Sequence, residues 1–185
     1  LIFLIPKASG GLRPIAIMSA FVRLWGAVRR DHARDWEARN FRGYFQVDCQ
    51  KAMFAHSLAD EGLLEGAITA SVFADVEKCF EHLDHQTLIE EAIATGFPLR
   101  LLRWLLNVYR AKRRLTMSGF MGEETCVLKG IVAGCHFSTM LLRMYFLRMI
   151  DRVLAAHPAV QVRVVVDDIS LHVVAPPAFA RATLG

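Results

Sequence analysis

The sequence predicts an α+β fold in which an antiparallel sheet packs on helices. Three observations support this class. Short runs rich in Val and Ile are bounded by glycine or aspartate, as in strands joined by turns. Longer segments repeat apolar residues at helical spacing. Strands and helices follow one another in mixed runs rather than in strict alternation, and a hydrophobic content of 54% in 185 residues is enough for a sizeable core.

The first part of the chain is predicted to form a hairpin, a helix and a buried strand. "LIFLIPKASGGLRPIAI" indicates two short strands around a Ser-Gly-Gly turn, because paired glycines supply the positive φ that a tight turn needs. Ser19 is a suitable cap for the helix that follows. One face of that helix is expected to carry Phe21, Trp25, Val28, His32 and Trp36. Residues 41–64 show no clear pattern, and "ASVFADVEKCF" is typical of a buried strand that ends near Asp75.

The second part is predicted to be mainly helical before it returns to strands. A helix begins at about His85 and ends at Gly96, and Pro98 suits the first turn of the next helix. The inward faces of these two helices are expected to be Leu88, Ile89, Ala92 and Ile93, and then Leu102, Leu105, Leu106 and Tyr109. "RLTMSGFMGEETCVLK" predicts a hairpin that turns within residues 119–123. A long helix over residues 137–156 precedes the strand pair predicted in "VRVVVDDISLHVV".

Charge and cysteine content limit the classes of function. A net charge of +4 and a pI of about 9.1 permit a polyanionic partner without requiring one. The basic cluster "RAKRR", residues 110–114, is either a solvated helix end or a nucleic-acid contact. The four cysteines form no CxxC pair and no zinc spacing, which indicates reduced thiols in an intracellular protein.

The chain is expected to be an internal segment of a longer polypeptide that does not enter a membrane. Its first residue is Leu1 rather than Met, and the apolar "LIFLI" is too short for a signal peptide. The apolar stretch 131–150 contains His136, Arg143 and Arg148, which would be costly near the centre of a bilayer. We therefore interpret this stretch as a core helix.

Two adjacent acids, Asp167 and Asp168, interrupt an apolar run of β-branched residues. They form either a tight turn, since Asp is a common turn residue, or a metal site, since neighbouring carboxylates repel and Mg²⁺ removes that repulsion. Asp75 also lies late in an apolar run, where it is either a strand-end acid, a helix N-cap or a third ligand. If the two strands are neighbours, three carboxylates can hold two Mg²⁺ ions about 4 Å apart, the arrangement used for nucleotidyl transfer.

Four segments of the chain follow one another in an order known from one enzyme family. They are "LIPKASGGLRPIAI", with a PK…RPI signature; "FADVEKCFEHLDHQTL", similar to D-x-x-[KR]-A-F-D-x-[VI]-x-H; "GIVAGCHFSTMLL", similar to G-[VI]-x-Q-G-x-x-x-S-P-x-L; and "VVVDDISL", similar to a Y-x-D-D segment. Together they resemble reverse transcriptases of the non-LTR retroelement and group II intron type. The resemblance implies a partial fingers region at 1–64, a palm region with a polymerase palm-like antiparallel sheet at 65–185, and no thumb.

The resemblance implies that Asp75, Asp167 and Asp168 are catalytic acids, of which Asp168 is closer to the primer end and less essential. The implied metal ligands are Asp75, Val76 and Asp167, and the implied cofactor is a pair of Mg²⁺ ions, with Mn²⁺ as an alternative. The implied partners are an RNA template, a DNA primer and deoxynucleoside triphosphates, together with the missing parts of a longer polypeptide.

The resemblance also implies nucleotide-binding residues. Phe80 falls on the steric-gate position beneath the sugar, where a large ring excludes a 2′-hydroxyl; the alternative is an ordinary core phenylalanine. Gly134 would lie where the backbone approaches the nucleotide and template, or would be a plain turn glycine. Lys7 and Arg13, on the predicted fingers hairpin, would reach the triphosphate, or would be ordinary surface charges.

Several positions depart from the family pattern: Val165 replaces an aromatic, Ala133 a glutamine, Thr139 a proline, and Val47-Asp48 a Gly-Phe pair. These departures leave three interpretations open. The leading one is an active RNA-directed DNA polymerase of a mobile element. The second is an inactive remnant that folds or binds nucleic acid. The third is an RNA-templated RNA polymerase, against which Phe80 argues because ribonucleotides need room at that position.

Overall fold

The computed structural model describes residues 1–8, 10–45 and 68–175, and their elements form the predicted α+β fold. In chain order these are β1 (Ile2–Pro6), β2 (Leu12–Ala16), α1 (Ala20–Arg29), α2 (Arg34–Arg39), β3 (Ile68–Asp75), α3 (Cys79–His82), α4 (His85–Thr95), α5 (Leu99–Arg110), β4 (Arg113–Met117), β5 (Phe120–Thr125), α6 (Ser138–Ala156), β6 (Gln161–Val165) and β7 (Asp168–Ala175). Ser9 of the predicted turn and most of residues 41–64, with Val47 and Asp48, lie outside the described residues.

By their contacts the residues divide into two units. The first consists of Leu1–Asn40 and Lys78–Tyr145, and the second of Phe41–Glu77 and Phe146–Gly185. Each unit contains its own sheet.

The first unit contains a four-stranded sheet in the order β2-β1-β4-β5. Strands β1 and β2 form the predicted antiparallel hairpin, and its turn includes Gly10 and Gly11 with φ of +87° and +82°. Strands β4 and β5 form the second predicted hairpin, but it turns at Ser118 and Gly119, at the start of the predicted range 119–123, and residues 120–123 already belong to β5. Both turn residues have positive φ, as a type I′ turn requires. A parallel β1–β4 pair joins the two hairpins, so one parallel pair accompanies the predicted antiparallel ones.

The helical face predicted after Ser19 is only partly continuous. The Ser19 side chain accepts a hydrogen bond from the Val22 N–H at 3.3 Å, which confirms the predicted cap. A 3₁₀ turn, Arg30–Ala33, then separates α1 from α2. Because a 3₁₀ turn has about 3.0 residues per turn rather than 3.6, it rotates α2 out of the phase of α1. Trp36 is therefore buried, whereas Phe21 and Val28 of the same predicted face are exposed.

Helix α4 begins and ends at the predicted residues, and α5 begins at the predicted place. Helix α4 is capped by Asp84 and ends at Gly96, whose φ of +71° is left-handed, and α5 follows Pro98. All four residues of the predicted α5 face are buried, namely Leu102, Leu105, Leu106 and Tyr109. In α4 the prediction was wrong for Ile93, which is 62% exposed. The buried side of α4 is formed by Leu88 and Ala92, and Ile93 lies about 100° further round the helix than Ala92.

The second unit contains a three-stranded antiparallel sheet in the order β3-β7-β6. The predicted strand pair around the two acids is confirmed as the β6–β7 hairpin. Strand β3 ends at Asp75 as predicted, but it is not buried: Val72 is 57% and Phe73 is 68% exposed. Consecutive residues of a strand project to opposite faces of the sheet, so both faces of β3 are exposed at Val72 and Phe73.

The apolar stretch interpreted as a core helix lies mostly in α6, which ends two residues before Pro158. Its fully buried side chains include Met140, Leu141, Leu142 and Met144. Within residues 1–8, 10–45 and 68–175, no helix is long and apolar enough to cross a membrane. Cys79, Cys126 and Cys135 are free thiols, and Cys49 lies outside the described residues.

In the second unit, Asp151 near the end of α6 binds the side chains of Arg42 and Tyr44. The Arg42 guanidinium donates to both carboxylate oxygens at 3.1–3.3 Å, and the Tyr44 hydroxyl donates to Oδ1 at 2.8 Å. Burial, reinforced by this hydrogen bond, raises the pKa of Tyr44 above its usual range. The Val164 N–H donates to the Tyr44 carbonyl at 2.8 Å, which ties the same segment to β6.

Candidate functional site

Asp75 and Asp168 are direct partners in the antiparallel register of β3 and β7. Asp75 is the last residue of its strand and Asp168 is the first residue of the other. Residues directly opposite each other project to the same face of a sheet, with Cβ atoms about 4.5–5.5 Å apart. The two strands predicted to deliver acids are therefore neighbours, and both deliver a carboxylate to one end of the sheet. The register partner of Asp75 is Asp168, while Asp167 lies in the adjoining turn.

The β6–β7 turn consists of Val166 and Asp167, between the paired residues Val165 and Asp168. Val166 has a φ of +59°, and Asp167 is not among the residues with positive φ. A positive φ at the first turn residue alone is the pattern of a type II′ turn, where glycine is preferred. A β-branched residue in this conformation is strained, and strain of this kind clusters at functional sites. The sequence pattern did not indicate it, since valine favours extended backbone.

The acids at this sheet end suit a hard divalent cation in their chemistry. Carboxylate oxygens are the ligands that Mg²⁺ prefers, and Asp75 and Asp168 are exposed while Asp167 is half-buried. Val76 has no ligand in its side chain, so only its backbone carbonyl oxygen could contribute. Among the described residues, no three His, Cys, Asp or Glu side chains already form a group that could hold a metal ion. The donor atoms thus fit Mg²⁺, but the described side chains do not form a preformed metal site of three residues.

In the first unit, Phe80 is held through its backbone by the loop after β5. Phe80 lies in the short helix α3 and is half-buried. Its carbonyl accepts a hydrogen bond from the Ile131 N–H at 2.7 Å, and the Leu83 carbonyl accepts one from the Gly130 N–H at 2.7 Å. Residues 80–83, which include the predicted steric-gate residue, are therefore hydrogen-bonded to Gly130 and Ile131. These are the first two residues of the segment "GIVAGCHFSTMLL".

Gly130 and His85 are site-supporting residues that the sequence reasoning missed. Gly130 has a φ of +86°, and a Cβ at this position would lie 2.5 Å from the Glu81 carbonyl oxygen. The carbonyl of Gly130 lies 2.7 Å from Nε2 of the buried His85. Both residues stand at fixed positions of the quoted family segments, Gly130 as the first glycine and His85 as the final histidine. The family motifs could have indicated both residues, but their spacing along the chain did not indicate that Gly130 and His85 are in contact.

The remaining predicted nucleotide-binding residues lie elsewhere in the first unit. Lys7 is exposed beside the β1–β2 turn, and its N–H donates to the Gly11 carbonyl at 3.0 Å. Arg13 lies in β2 opposite Ile5, on the same hairpin as Lys7, and its side chain is outside the described part of the structure. A Cβ on Gly134 would lie 3.6 Å from the Ala16 carbonyl, an ordinary contact, so neither crowding nor φ requires glycine there.

The basic cluster 110–114 is used largely within the protein. Nε of Arg110 donates to His85 Nδ1 at 3.2 Å, and Arg113 donates to the Tyr109 carbonyl at 2.7 Å. Lys112 and Arg114 both form ion pairs with Glu124 of β5. These contacts favour the helix-end interpretation of the cluster over a nucleic-acid contact.

Comparisons with known proteins agree with the fold and with the sequence patterns. Residues 5–182 match the family described as reverse transcriptase (RNA-dependent DNA polymerase). No curated protein sequence matches the chain. Among solved structures, the chain is similar to apo telomerase from Candida tropicalis truncated from the C-terminal domain, with a TM-score of 0.63 and 12% identity. The likeness covers 93% of this chain and 43% of that one, so the chain spans less than half of the telomerase structure, and at this identity the likeness is one of fold.

Proposed function

Because the chain belongs to the reverse transcriptase (RNA-dependent DNA polymerase) family, we propose that it is the catalytic part of an RNA-directed DNA polymerase from a mobile element of the non-LTR retroelement or group II intron type. The observation that carries the proposal is the register of Asp75 with Asp168, which sets two carboxylates at one end of a sheet. Its partners would be an RNA template, a DNA primer and deoxynucleoside triphosphates. An intracellular location follows from the same proposal.

The acids would act by holding metal ions. Two bound Mg²⁺ ions, or Mn²⁺ in their place, would stabilise the attacking and leaving oxygens of nucleotidyl transfer. Asp75 and Asp167 would hold the ions through their carboxylates, and Val76 would contribute its carbonyl oxygen. Asp168 would stand beside them at the primer end. Support comes from the exposure of Asp75 and Asp168, which leaves their oxygens accessible to an ion and a nucleotide.

Residues of the first unit would select and bind the nucleotide. Phe80 would contact the sugar and exclude a 2′-hydroxyl, which favours DNA synthesis. Lys7 and Arg13 would bind the triphosphate, and Gly134 would allow the nucleotide and template to approach the backbone. The last role is supported by the finding that no described neighbour requires glycine at 134. The division into a fingers region at 1–64 and a palm region at 65–185 belongs to the same proposal.

A second candidate is an inactive relative that keeps the fold. Val165, Ala133 and Thr139 stand where the family pattern has an aromatic, a glutamine and a proline. Val165 is the register partner of Asp168, so the missing aromatic adjoins one of the proposed catalytic acids. In this case the chain would fold or bind nucleic acid without extending a primer.

Primer extension by the full-length protein that carries this chain distinguishes the two. A DNA primer annealed to an RNA template is incubated with deoxynucleotides and Mg²⁺, and again with EDTA. We expect metal-dependent extension that Asp75→Asn reduces by more than about 100-fold, since both metal ions lose a ligand. Asp84→Asn is the matched control, because Asp84 follows soon after Asp75 in the sequence and its capping role can be kept by Asn. A folded wild-type protein that extends no primer would favour the inactive relative.

A further inference from the structure

His85 is a buried histidine whose two ring nitrogens are both engaged. It is 2% exposed and begins helix α4. Nδ1 lies 3.2 Å from Nε of Arg110, and Nε2 lies 2.7 Å from the carbonyl oxygen of Gly130. A guanidinium can only donate, so Nδ1 must be the acceptor. The ring proton therefore resides on Nε2, and His85 donates it to the Gly130 carbonyl.

The Gly130 carbonyl and the Ile131 N–H are the two ends of a single peptide unit. His85 binds the carbonyl end, and the Phe80 carbonyl accepts a hydrogen bond from the N–H end at 2.7 Å. A peptide unit is planar and rigid, and its C=O and N–H point in opposite directions. A rotation of this plane at one end is therefore transmitted to the other. The orientation of the His85 ring and the position of the Phe80 backbone are coupled through one peptide plane.

The backbone of Gly130 lies close against α3. The Gly130 N–H donates to the Leu83 carbonyl at 2.7 Å, and its φ of +86° brings the backbone against Glu81. A Cβ at residue 130 would lie within 2.8 Å of both Cα and C of Glu81. Within this packing, the hydrogen bond from His85 is the described contact that fixes the carbonyl end of the plane.

We propose that His85 is a positioning residue for sugar selection: through the 130–131 peptide it sets where Phe80 presents its ring to the nucleotide. The proposal rests on the proposed function of Phe80. Without the His85 donor, the 130–131 plane can rotate, and Phe80 loses its fixed position. Room then opens for a 2′-hydroxyl, and ribonucleotides are excluded less effectively.

The first test compares sugar selectivity in the full-length protein. The measured quantity is kcat/KM for a deoxynucleotide divided by kcat/KM for the matching ribonucleotide. His85→Leu keeps the approximate volume and removes the donor, and we expect the ratio to fall about tenfold or more, the effect of one lost buried hydrogen bond. His85→Gln keeps an amide donor near the Nε2 position and should hold the ratio within about threefold of wild type. Adding Phe80→Ala to His85→Leu should lower the ratio no further than Phe80→Ala alone.

A second variant keeps the test valid if His85→Leu does not fold. Arg110→Met removes the hydrogen bond that orients the His85 ring at Nδ1, and Arg110 is exposed, so the fold should tolerate the change. We expect a smaller fall in the selectivity ratio, about threefold, because the imidazole is retained. A fall in kcat/KM that is equal for both sugars, in every variant that folds, would overturn the proposal and leave the polymerase function standing.

Amide hydrogen exchange tests the coupling independently of activity. The Ile131 amide, bonded to Phe80, should exchange at least about tenfold faster in His85→Leu than in wild type, and His85→Gln should restore its protection. The Leu102 amide, bonded to the Pro98 carbonyl at the start of α5, is the internal control and should not change. Unchanged exchange at Ile131 would overturn the coupling, whether or not the protein extends a primer.

Discussion

Asp75 and Asp168 oppose each other directly across the antiparallel β3–β7 pair. The pairing places two like charges on one face at one end of the sheet, and like charges directly opposite each other are destabilising. Asp167 follows the strained Val166 in the β6–β7 turn, next to the same pair. Two carboxylates therefore share one face at the end of a small sheet at a cost in stability, and a third, that of Asp167, lies in the adjoining turn.

The first prediction is that Asp75→Asn raises the free energy of unfolding in the absence of metal. We expect a gain of about 0.5 kcal/mol at pH 7 and low salt, within the range of cross-strand pair energies. Urea unfolding in EDTA measures it, and the gain should shrink in about 1 M salt as the repulsion is screened. Asp168→Asn should give a similar gain and the double variant no more than either, because one pair is removed in each case. A stability loss in Asp75→Asn at both salt concentrations would contradict the cross-strand repulsion.

The second prediction is that Val166→Gly stabilises the protein. A left-handed residue with a Cβ costs about 1–2 kcal/mol. Glycine loses about 0.5–1 kcal/mol more in conformational entropy on folding, so a net gain of about 0.5–1 kcal/mol is expected. Val166 is 42% exposed, and little buried surface is lost. Chemical denaturation gives the change, and Val165→Gly in the adjoining strand is the control, which should lose stability. Equal losses in the two variants would show that the turn is unstrained.

The third prediction separates crowding from backbone strain at two left-handed glycines. Gly96 has φ of +71° and open space around a Cβ, whereas a Cβ on Gly130 meets Glu81 at 2.5 Å. Gly96→Ala should therefore cost about 1–2 kcal/mol, the left-handed penalty alone. Gly130→Ala should cost about 2–5 kcal/mol, since overpacking against backbone is added to it. Thermal and urea unfolding of both variants measure the difference. A cost at Gly130 no greater than that at Gly96 would mean that the contact with α3 is loose.

The fourth prediction concerns the pH dependence of the α4 cap. The Asp84 carboxylate accepts hydrogen bonds from the Thr87 N–H at 2.7 Å and the Thr87 hydroxyl at 3.1 Å, and the backbone bond is the main cause that lowers the pKa of Asp84. A carboxyl whose pKa is lower in the folded than in the unfolded state adds stability above its unfolded pKa of about 3.9. This contribution is lost as the pH falls through the folded pKa.

Asp84→Ala should accordingly lower the free energy of unfolding by about 1 kcal/mol at pH 7, the usual value of an N-cap. The difference from wild type should narrow as the pH falls below about 4. Asp84→Asn keeps a capping oxygen that does not titrate, so its difference from Asp84→Ala should stay constant over the same range. Urea unfolding from pH 7 to pH 3 gives all three curves. An Ala penalty that does not change with pH would show that the charge of Asp84 adds nothing to the cap.

The local elements could be predicted from the sequence because their causes are local. Gly10 and Gly11 supply the positive φ of the first turn, and Ser19 caps the helix that follows it. Gly96 ends α4 with its left-handed φ, and the α5 face repeats at helical spacing and is buried throughout. A capping oxygen or a positive φ acts within three or four residues, so reading neighbours along the chain is sufficient. The family motifs could likewise be recognised from the sequence, because each is a run of consecutive residues.

Features that depend on contacts between residues far apart in sequence could not be predicted in this way. The apolar run of β3 predicted a buried strand, but Val72 and Phe73 are exposed because burial depends on what packs against the two faces of a strand. The pairing of Asp75 with Asp168 rather than Asp167 follows from the register of two strands about ninety residues apart, and a shift of one residue would reverse the faces. The bond from His85 to Gly130 depends on a loop packed closely enough to require glycine, a three-dimensional constraint that spacing along the chain does not encode.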